Sequence, residues 1–430
     1  MKIKTVKKSY DEVMALPRPE HKKPMKPWFI LSSVIRILAI PDMLATKFKY
    51  NSKDKAKLPK EPCLILMNHS SFIDLKIVSK IFYPRPYCIV CTSDGFIGKN
   101  WLMKRLGCIP TQKFVTDLSL IKDIKYAIEK KKVSVLMYPE ASYSFDGCAT
   151  PLPEKIGGLL KLLKAPVVMI TTQGAFSRDP LYNGLQLRKV KVSADVKYLL
   201  TPEEIAEKSV EELDAVLKDA FTFDGFKWQY DNKIKITEKF RADGLERILY
   251  KCCECGKEGC MVGKGTELVC NECGKRYYMN ELGRLEALDG ETRFPHIPDW
   301  YAWERECVRE EIENGNYLLD TDVSIGMMVD RKAIYMVGDG HLTHNENGFT
   351  LTGCDGKLSY EQKPLSSYGL YSDYYWYEIG DMICIGNRDA LYYCFPKKDG
   401  VVAKTRIAAE ELFKIKSAQI RQKRNKSSDN

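Results

Sequence analysis

Cys63-Leu64-Ile65-Leu66-Met67-Asn68-His69-Ser70-Ser71-Phe72-Ile73-Asp74 carries the pattern that decides the fold. An apolar run of strand length stops at a polar turn, and apolar residues then resume at helical spacing over Phe72–Ile81. Such a turn, at the end of a buried strand, is where α/β folds build their sites. It presents His69, whose imidazole serves as a general base near neutral pH. Asp74, five residues on, is spaced to fix the tautomer and orientation of that ring. Ser71 and Asp74 also satisfy S-x-x-D, the signature of a helix start. By themselves these residues fit a helix cap as well as a catalytic base.

Outward from this stretch, residues 60–200 alternate strand-like and helix-like segments. Strands are expected at Cys63–Met67, Tyr87–Cys91, Val133–Tyr138, Val167–Thr172 and Val190–Val196. Helices are expected at Phe72–Ile81, Gly98–Leu106, Leu118–Lys130 and Lys155–Leu163. The alternation predicts an α/β domain over residues 61–225, with a mostly parallel sheet flanked by helices. Three connections carry readable chemistry. Gly107-Cys108-Ile109-Pro110-Thr111-Gln112-Lys113 is a Gly turn and extended segment that presents an ammonium suited to a phosphate. In Tyr138-Pro139-Glu140-Ala141-Ser142-Tyr143-Ser144, Glu140 follows a buried strand and is placed to bind a substrate hydroxyl or organise the backbone nearby. Ala165–Thr172 is a buried strand entered through Pro166.

Taken together, these pieces resemble the glycerophospholipid acyltransferases, the family of 1-acylglycerol-3-phosphate acyltransferases. The family's H-x4-D motif is His69 to Asp74, preceded by Asn68, and its Gly-to-basic block resembles Gly107 to Lys113. Its F-P-E-G-T-R-S block stands here as Tyr138–Ser144, and its V-P-I-V-P-V block is similar to Ala165–Ile170. The resemblance covers roughly residues 25–200. It implies transfer of an acyl group from a thioester of coenzyme A or acyl carrier protein to a lysophospholipid or related glycerolipid hydroxyl. His69 and Asp74 would be catalytic, and Asn68, Lys113, Glu140 and Ser142 would bind substrate. Ala141, Ser142 and Tyr143 depart from the family's Gly, Thr and Arg. Tyr143 removes a charge expected to hold a phosphate, with Arg178 and Lys155 as substitutes, so the acceptor is not assigned.

The chain's 430 residues allow two or three domains, and 44% hydrophobic with 29% charged residues excludes a disordered protein. Residues 1–60 hold 15 Lys/Arg against 5 Asp/Glu, which accounts for the whole formal charge of +10. Within them, Trp28–Ile40 is apolar but interrupted by Arg36 and too short to span a bilayer. Lys22, Lys23 and Lys26 precede it, and Lys47, Lys49, Lys53, Lys55 and Lys57 follow. That is the pattern of a helix lying in an anionic membrane interface, so residues 1–60 are expected to attach the protein peripherally to a membrane. The competing reading is a core helix with a basic flank. Fifteen cysteines, an odd number with several in apolar runs, fit a reduced cytoplasmic compartment.

Beyond a helical connector at 226–250, Cys252-x2-Cys255 and Cys270-x2-Cys273 have the spacing of a four-thiolate zinc site. The segment 251–284 resembles a zinc ribbon with structural zinc; its loop lacks the basic–aromatic pattern of a nucleic-acid binder. A helical linker follows at 285–316, then a β-rich domain with a C-terminal helix at 317–424, analogous in architecture to a pleckstrin-homology barrel. Residues 425–430 are expected to be a disordered tail. The alternative to an enzyme is an inactive lipid-binding or scaffold protein that keeps the acyltransferase shape.

Overall fold

A computed structural model describes residues 2–51, 58–115 and 117–428. Lys53, Lys55 and Lys57 of the expected basic flank, and the last two residues, lie outside them. The α/β region holds a seven-stranded sheet. Its order is Lys49–Asn51, Ser193–Leu200, Val167–Gln173, Leu64–Met67, Ser134–Met137, Tyr87–Thr92 and Cys108–Thr111. Every neighbouring pair is parallel except Val167–Gln173 with Ser193–Leu200. Leu64–Met67 and Ser134–Met137 are buried at every position, as central strands covered on both faces must be. The strand expected over Val190–Val196 pairs instead over Ser193–Leu200, and the extended segment after Gly107 is an edge strand. Gly107 starts it at φ +78°, and a Cβ there would stand 2.5 Å from Pro27 Cγ.

The first 60 residues do not act as one unit. Thr5–Lys7 is a strand that pairs in parallel with Ile334–Met336, some 330 positions away. The helix Tyr10–Met14, closed by a Ser9–Glu12 capping box, buries Val13 in the same core. The expectation of a wholly membrane-associating segment is therefore corrected: only its middle is free of the core. There the helix Phe29–Leu38 buries none of its residues, and Phe29, Ile30, Ile37 and Leu38 are each more than 60% exposed. That removes the core-helix reading. No helix among the described residues is long and apolar enough to cross a membrane.

The expected helical connector is helical only over Gly225–Asp231 and a turn at Leu245–Arg247; its Ala242, Leu245, Ile248 and Leu249 are core. A four-stranded antiparallel sheet follows in the order Leu285–Ala287, Arg276–Met279, Glu267–Cys270, Met261–Lys264. The helix Ile297–Glu313 then leads into seven antiparallel strands. Their spatial order is Leu358–Gln362, Gly348–Gly353, Ile334–Asn345, Leu319–Met328, Leu391–Pro396, Gly380–Gly386, Tyr371–Trp376. By chain position this is fourth, third, second, first, seventh, sixth, fifth. The last helix, Val401–Ser428, runs past the expected end and takes up residues assigned to a disordered tail. One hydrophobic cluster joins Phe145 and Phe176 of the α/β region to Tyr277, Trp300, Ile383 and Ile407. The successive regions share a core.

Candidate active site

The site begins where the strand Leu64–Met67 ends. Asn68 is fully buried, and its Oδ1 accepts from Thr172 N–H (2.8 Å) and Thr172 Oγ1 (3.2 Å), tying two parallel strands together at their tips. His69 N–H donates to Glu140 Oε2 at 2.9 Å, while Glu140 Oε1 accepts from the Thr150 amide (2.9 Å) and hydroxyl (3.1 Å). Burial pushes the Glu140 carboxyl up to about 7, against the pull of those donors. Asp74 Oδ2 accepts from His69 Nδ1 (3.0 Å) and from the amides of Ser70 (2.9 Å) and Ser71 (3.1 Å). A carboxylate on Nδ1 makes that nitrogen the donor and leaves Nε2 with its lone pair. Burial lowers the His69 pKa below its ordinary value more than Asp74 restores it, and Lys113 lowers it further. The ring is thus held as neutral imidazole.

Two aromatic rings clamp it. The centroids of Tyr138 and Tyr143 lie 4.1 and 4.0 Å from that of His69, and Tyr143 also meets Phe72 at 5.5 Å. The turn that carries these tyrosines has Ala141 at φ +55°, in the left-handed region that favours glycine. A guanidinium from the C-terminal helix holds the same turn. Arg406 Nη1 donates to Ser142 Oγ (3.2 Å) and Tyr143 O (3.4 Å), sits 4.0 Å over the Phe145 ring, and pairs with Glu410 at 3.2 Å.

His69 lines a cavity of 1720 Å³ between the α/β and β-rich regions. Of the four expected substrate-binding residues, only Lys113 lines it. Asn68, Glu140 and Ser142 are buried and bonded to protein partners, so the structure gives them backbone-holding positions. Arg178 is also buried, paired with Asp42 (2.5 Å) and Asp179 (3.0 Å), whereas Lys155 does line the cavity. Lys113 Nζ sits 4.1 Å from the centroid of Tyr371. Burial lowers its pKa, and Asp373 and then Asp94 act in the other direction.

Sequence reasoning missed the far wall of this cavity. Tyr371 Oη donates to Asp94 Oδ2 at 2.7 Å, Tyr368 Oη donates to the Pro139 carbonyl at 3.2 Å, and Tyr374 Oη donates to the Arg247 carbonyl. Gly369 packs so closely on Phe114 that a Cβ would stand 2.6 Å from that ring. The one available signal was the aromatic density of Tyr371-Ser372-Asp373-Tyr374-Tyr375-Trp376-Tyr377.

The second constellation lies apart from the first. The sulfurs of Cys252, Cys255, Cys270 and Cys273 lie within 4.8 Å of one another, a set that can hold a metal ion. Cys252–Cys273 and Cys255–Cys270 are 3.7 and 3.8 Å apart, against roughly 3.8 Å for thiolates on a tetrahedral zinc. The two knuckles are built alike: each is C-x2-C-G-K, with Gly256 and Gly274 at φ +72° and +76°. In each, the glycine N–H donates to the first cysteine's carbonyl at 2.9 Å.

Residues 49–172 match the Acyltransferase family model. His69, Asp74, Lys113, Glu140 and Ser142 all fall inside that span, while Tyr371, Arg406 and the cysteine cluster fall outside it. The chain is also similar to the chloroplastic 1-acyl-sn-glycerol-3-phosphate acyltransferase BAT2 of Brassica napus. The two are 28% identical over 117 residues, which is 26% of this chain and 33% of that protein. The chain therefore spans about a third of that relative's length. Among solved structures, the 1-acyl-sn-glycerophosphate (LPA) acyltransferase PlsC from Thermotoga maritima is similar with a TM-score of 0.35 and 16% identity. It covers 44% of this chain and 76% of its own. Residues 49–172, within the α/β region, are thus similar to acyltransferase domains.

Proposed function

We propose that this protein transfers a fatty acyl group from an acyl thioester to the hydroxyl of a lysophospholipid or related glycerolipid. The observation that carries the reading is His69, which lines the cavity with Nδ1 bonded to Asp74 and Nε2 left as base. Nε2 takes the proton of the acceptor hydroxyl as its oxygen attacks the thioester carbonyl. The C–S bond then breaks, the new C–O ester bond remains, and the imidazolium returns the proton to the leaving thiolate. The thiol carrier is coenzyme A or acyl carrier protein. Asp74 stabilises the transient imidazolium, and the Tyr138 and Tyr143 rings hold the imidazole plane in place.

The exposed apolar helix Phe29–Leu38, with Trp28 and Trp101 beside it and Lys22, Lys23 and Lys26 before it, supports peripheral attachment to an anionic, cytoplasm-facing membrane surface. Cys252, Cys255, Cys270 and Cys273 would hold a structural zinc, a closed site that stabilises the fold and leaves no open position for catalysis. The seven-strand order with a C-terminal helix supports a pleckstrin-homology-type architecture for the β-rich region.

The test is release of thiol from an acyl-coenzyme A by the full chain, with and without hydroxylated lysolipids. Acceptor-dependent release with formation of the diacyl product is expected. Lysolipid binding without thiol release, from acyl-coenzyme A or from acyl carrier protein offered in its place, would overturn the enzyme reading in favour of a lipid-binding scaffold.

A further inference from the structure

The run Tyr371–Glu378 of the β-rich region forms part of the wall of the cavity that holds His69. Its strand is irregular between Asp373 and Trp376. Tyr375, Tyr377 and Glu378 lie at φ +53°, +47° and +65°, backbone that side chains other than glycine's rarely adopt. Such strain persists only where surrounding contacts over-determine it, and it gathers at ligand clamps. Trp376 Nε1 donates to Tyr371 Oη at 2.9 Å, Tyr371 Oη donates to Asp94 at 2.7 Å, and Tyr374 Oη donates to Arg247 O. Together they hold Tyr371 against Lys113, with Asp373 two residues on in the wall of the cavity that His69 also lines.

The charges there are uneven. Lys113 has its ammonium against the face of Tyr371, 4.1 Å from the centroid, with Asp373 and Asp94 as its electrostatic partners. Asp74 adds a third carboxylate at His69. The guanidinium groups are committed elsewhere: Arg406 to Glu410, Ser142 and Tyr143, Arg178 to Asp42 and Asp179, and the lining Arg247 to the Tyr182 carbonyl, which leaves Lys155 as the other lining cation. The rings of Tyr138 and Tyr143 lie against His69, and that of Tyr371 against Lys113. A phosphate monoester dianion needs uncommitted, charge-assisted donors, bidentate arginine above all. In this site it would meet the point charge of Lys113, laid against a tyrosine ring, in place of a bidentate guanidinium, and a lining in which carboxylates outnumber cations. A hydroxylated lipid with a neutral or zwitterionic headgroup meets neither obstacle.

From this we infer that the acyl acceptor carries no net negative charge in its headgroup, and that Asp373, supplied by the β-rich region, is the specificity-determining residue. The inference rests on the acyl-transfer reading above. Asp373 suits the role because it accepts a local hydrogen bond, from the Tyr374 amide at 2.8 Å, and bonds neither the base nor the groups that orient it.

The experiment measures kcat/KM of the full-length protein at pH 8 with one acyl-coenzyme A and three acceptors of equal chain length: a monoacylglycerol, a lysophosphatidylcholine and a lysophosphatidic acid. At least one of the first two should exceed lysophosphatidic acid tenfold or more. Asp373→Asn keeps an oxygen for the Tyr374 amide and should raise the lysophosphatidic acid to monoacylglycerol ratio about tenfold. A residue with a merely structural role would lower all three rates together and leave the ratio unmoved, and that result overturns the assignment to Asp373. Wild-type preference for lysophosphatidic acid, or parity, overturns the charge inference and leaves acyl transfer standing. Absence of transfer to every acceptor overturns both.

Discussion

His69 is fixed through its amide by Glu140, through Nδ1 by Asp74, and on both ring faces by tyrosines. Because burial holds its pKa below 6.5, the base form persists into mildly acidic solution. The His69 imidazole, followed by NMR, is therefore expected to titrate below pH 6.5, and a midpoint above that value would contradict the burial argument. Asp74→Asn removes the carboxylate that selects the tautomer and should cut kcat by about a hundredfold or more, as measured by thiol release. Ala141 at φ +55° is a strained residue in the turn beneath Tyr143. Ala141→Gly should raise stability by about 0.5–1 kcal/mol in a urea titration. His69 and Asp74 were legible because their relation spans five residues of one strand–turn–helix. Glu140 was legible only as a choice, and the structure gives it the backbone-holding half. Tyr371 and Asp373 could not be read, because what brings them to Lys113 is tertiary packing across more than 250 positions.

At the scale of elements, the C-terminal helix reaches the acyltransferase domain through Arg406, which is 3% exposed. Arg406→Ala leaves Ser142 Oγ and the Tyr143 carbonyl without their donor and Glu410 without one of its two arginines. A loss of roughly 3 kcal/mol in unfolding free energy is expected. Turnover should also fall beyond what residual unfolding explains, because the turn that carries Tyr143 loosens. Arg406→Lys should recover stability more than turnover. The helix Phe29–Leu38 calls for the opposite test, since its Phe29, Ile30, Ile37 and Leu38 are exposed. Ile30→Asp with Ile37→Asp should leave the melting temperature within a degree or two and weaken binding to anionic vesicles at least about tenfold. Unchanged binding in a sedimentation assay would remove this helix from the membrane contact. Periodicity revealed this helix, as it did the strands around Leu64–Met67. It could not reveal the strand Thr5–Lys7, whose three residues acquire a partner only when Ile334–Met336 arrives.

The whole molecule is more integrated than a string of modules. The cysteine-bearing sheet, the helix Ile297–Glu313 and the β-rich region share one core with the acyltransferase domain, and the cavity at His69 is completed from outside that domain. Composition and spacing in the sequence carry no information about this shared burial. It follows that removing the metal proposed for Cys252, Cys255, Cys270 and Cys273 should lower the melting temperature of the entire chain in one transition. Calorimetry with and without a strong chelator, alongside metal analysis, checks this; a separate small transition would show that the sheet around the cysteines folds alone. The central claim is that His69 is the base of an acyl transfer. Its most direct test is diacyl product formation by His69→Ala against wild type, with folding matched by circular dichroism. The account predicts product from wild type and at least a thousandfold less from the variant, whereas comparable product from both would contradict it.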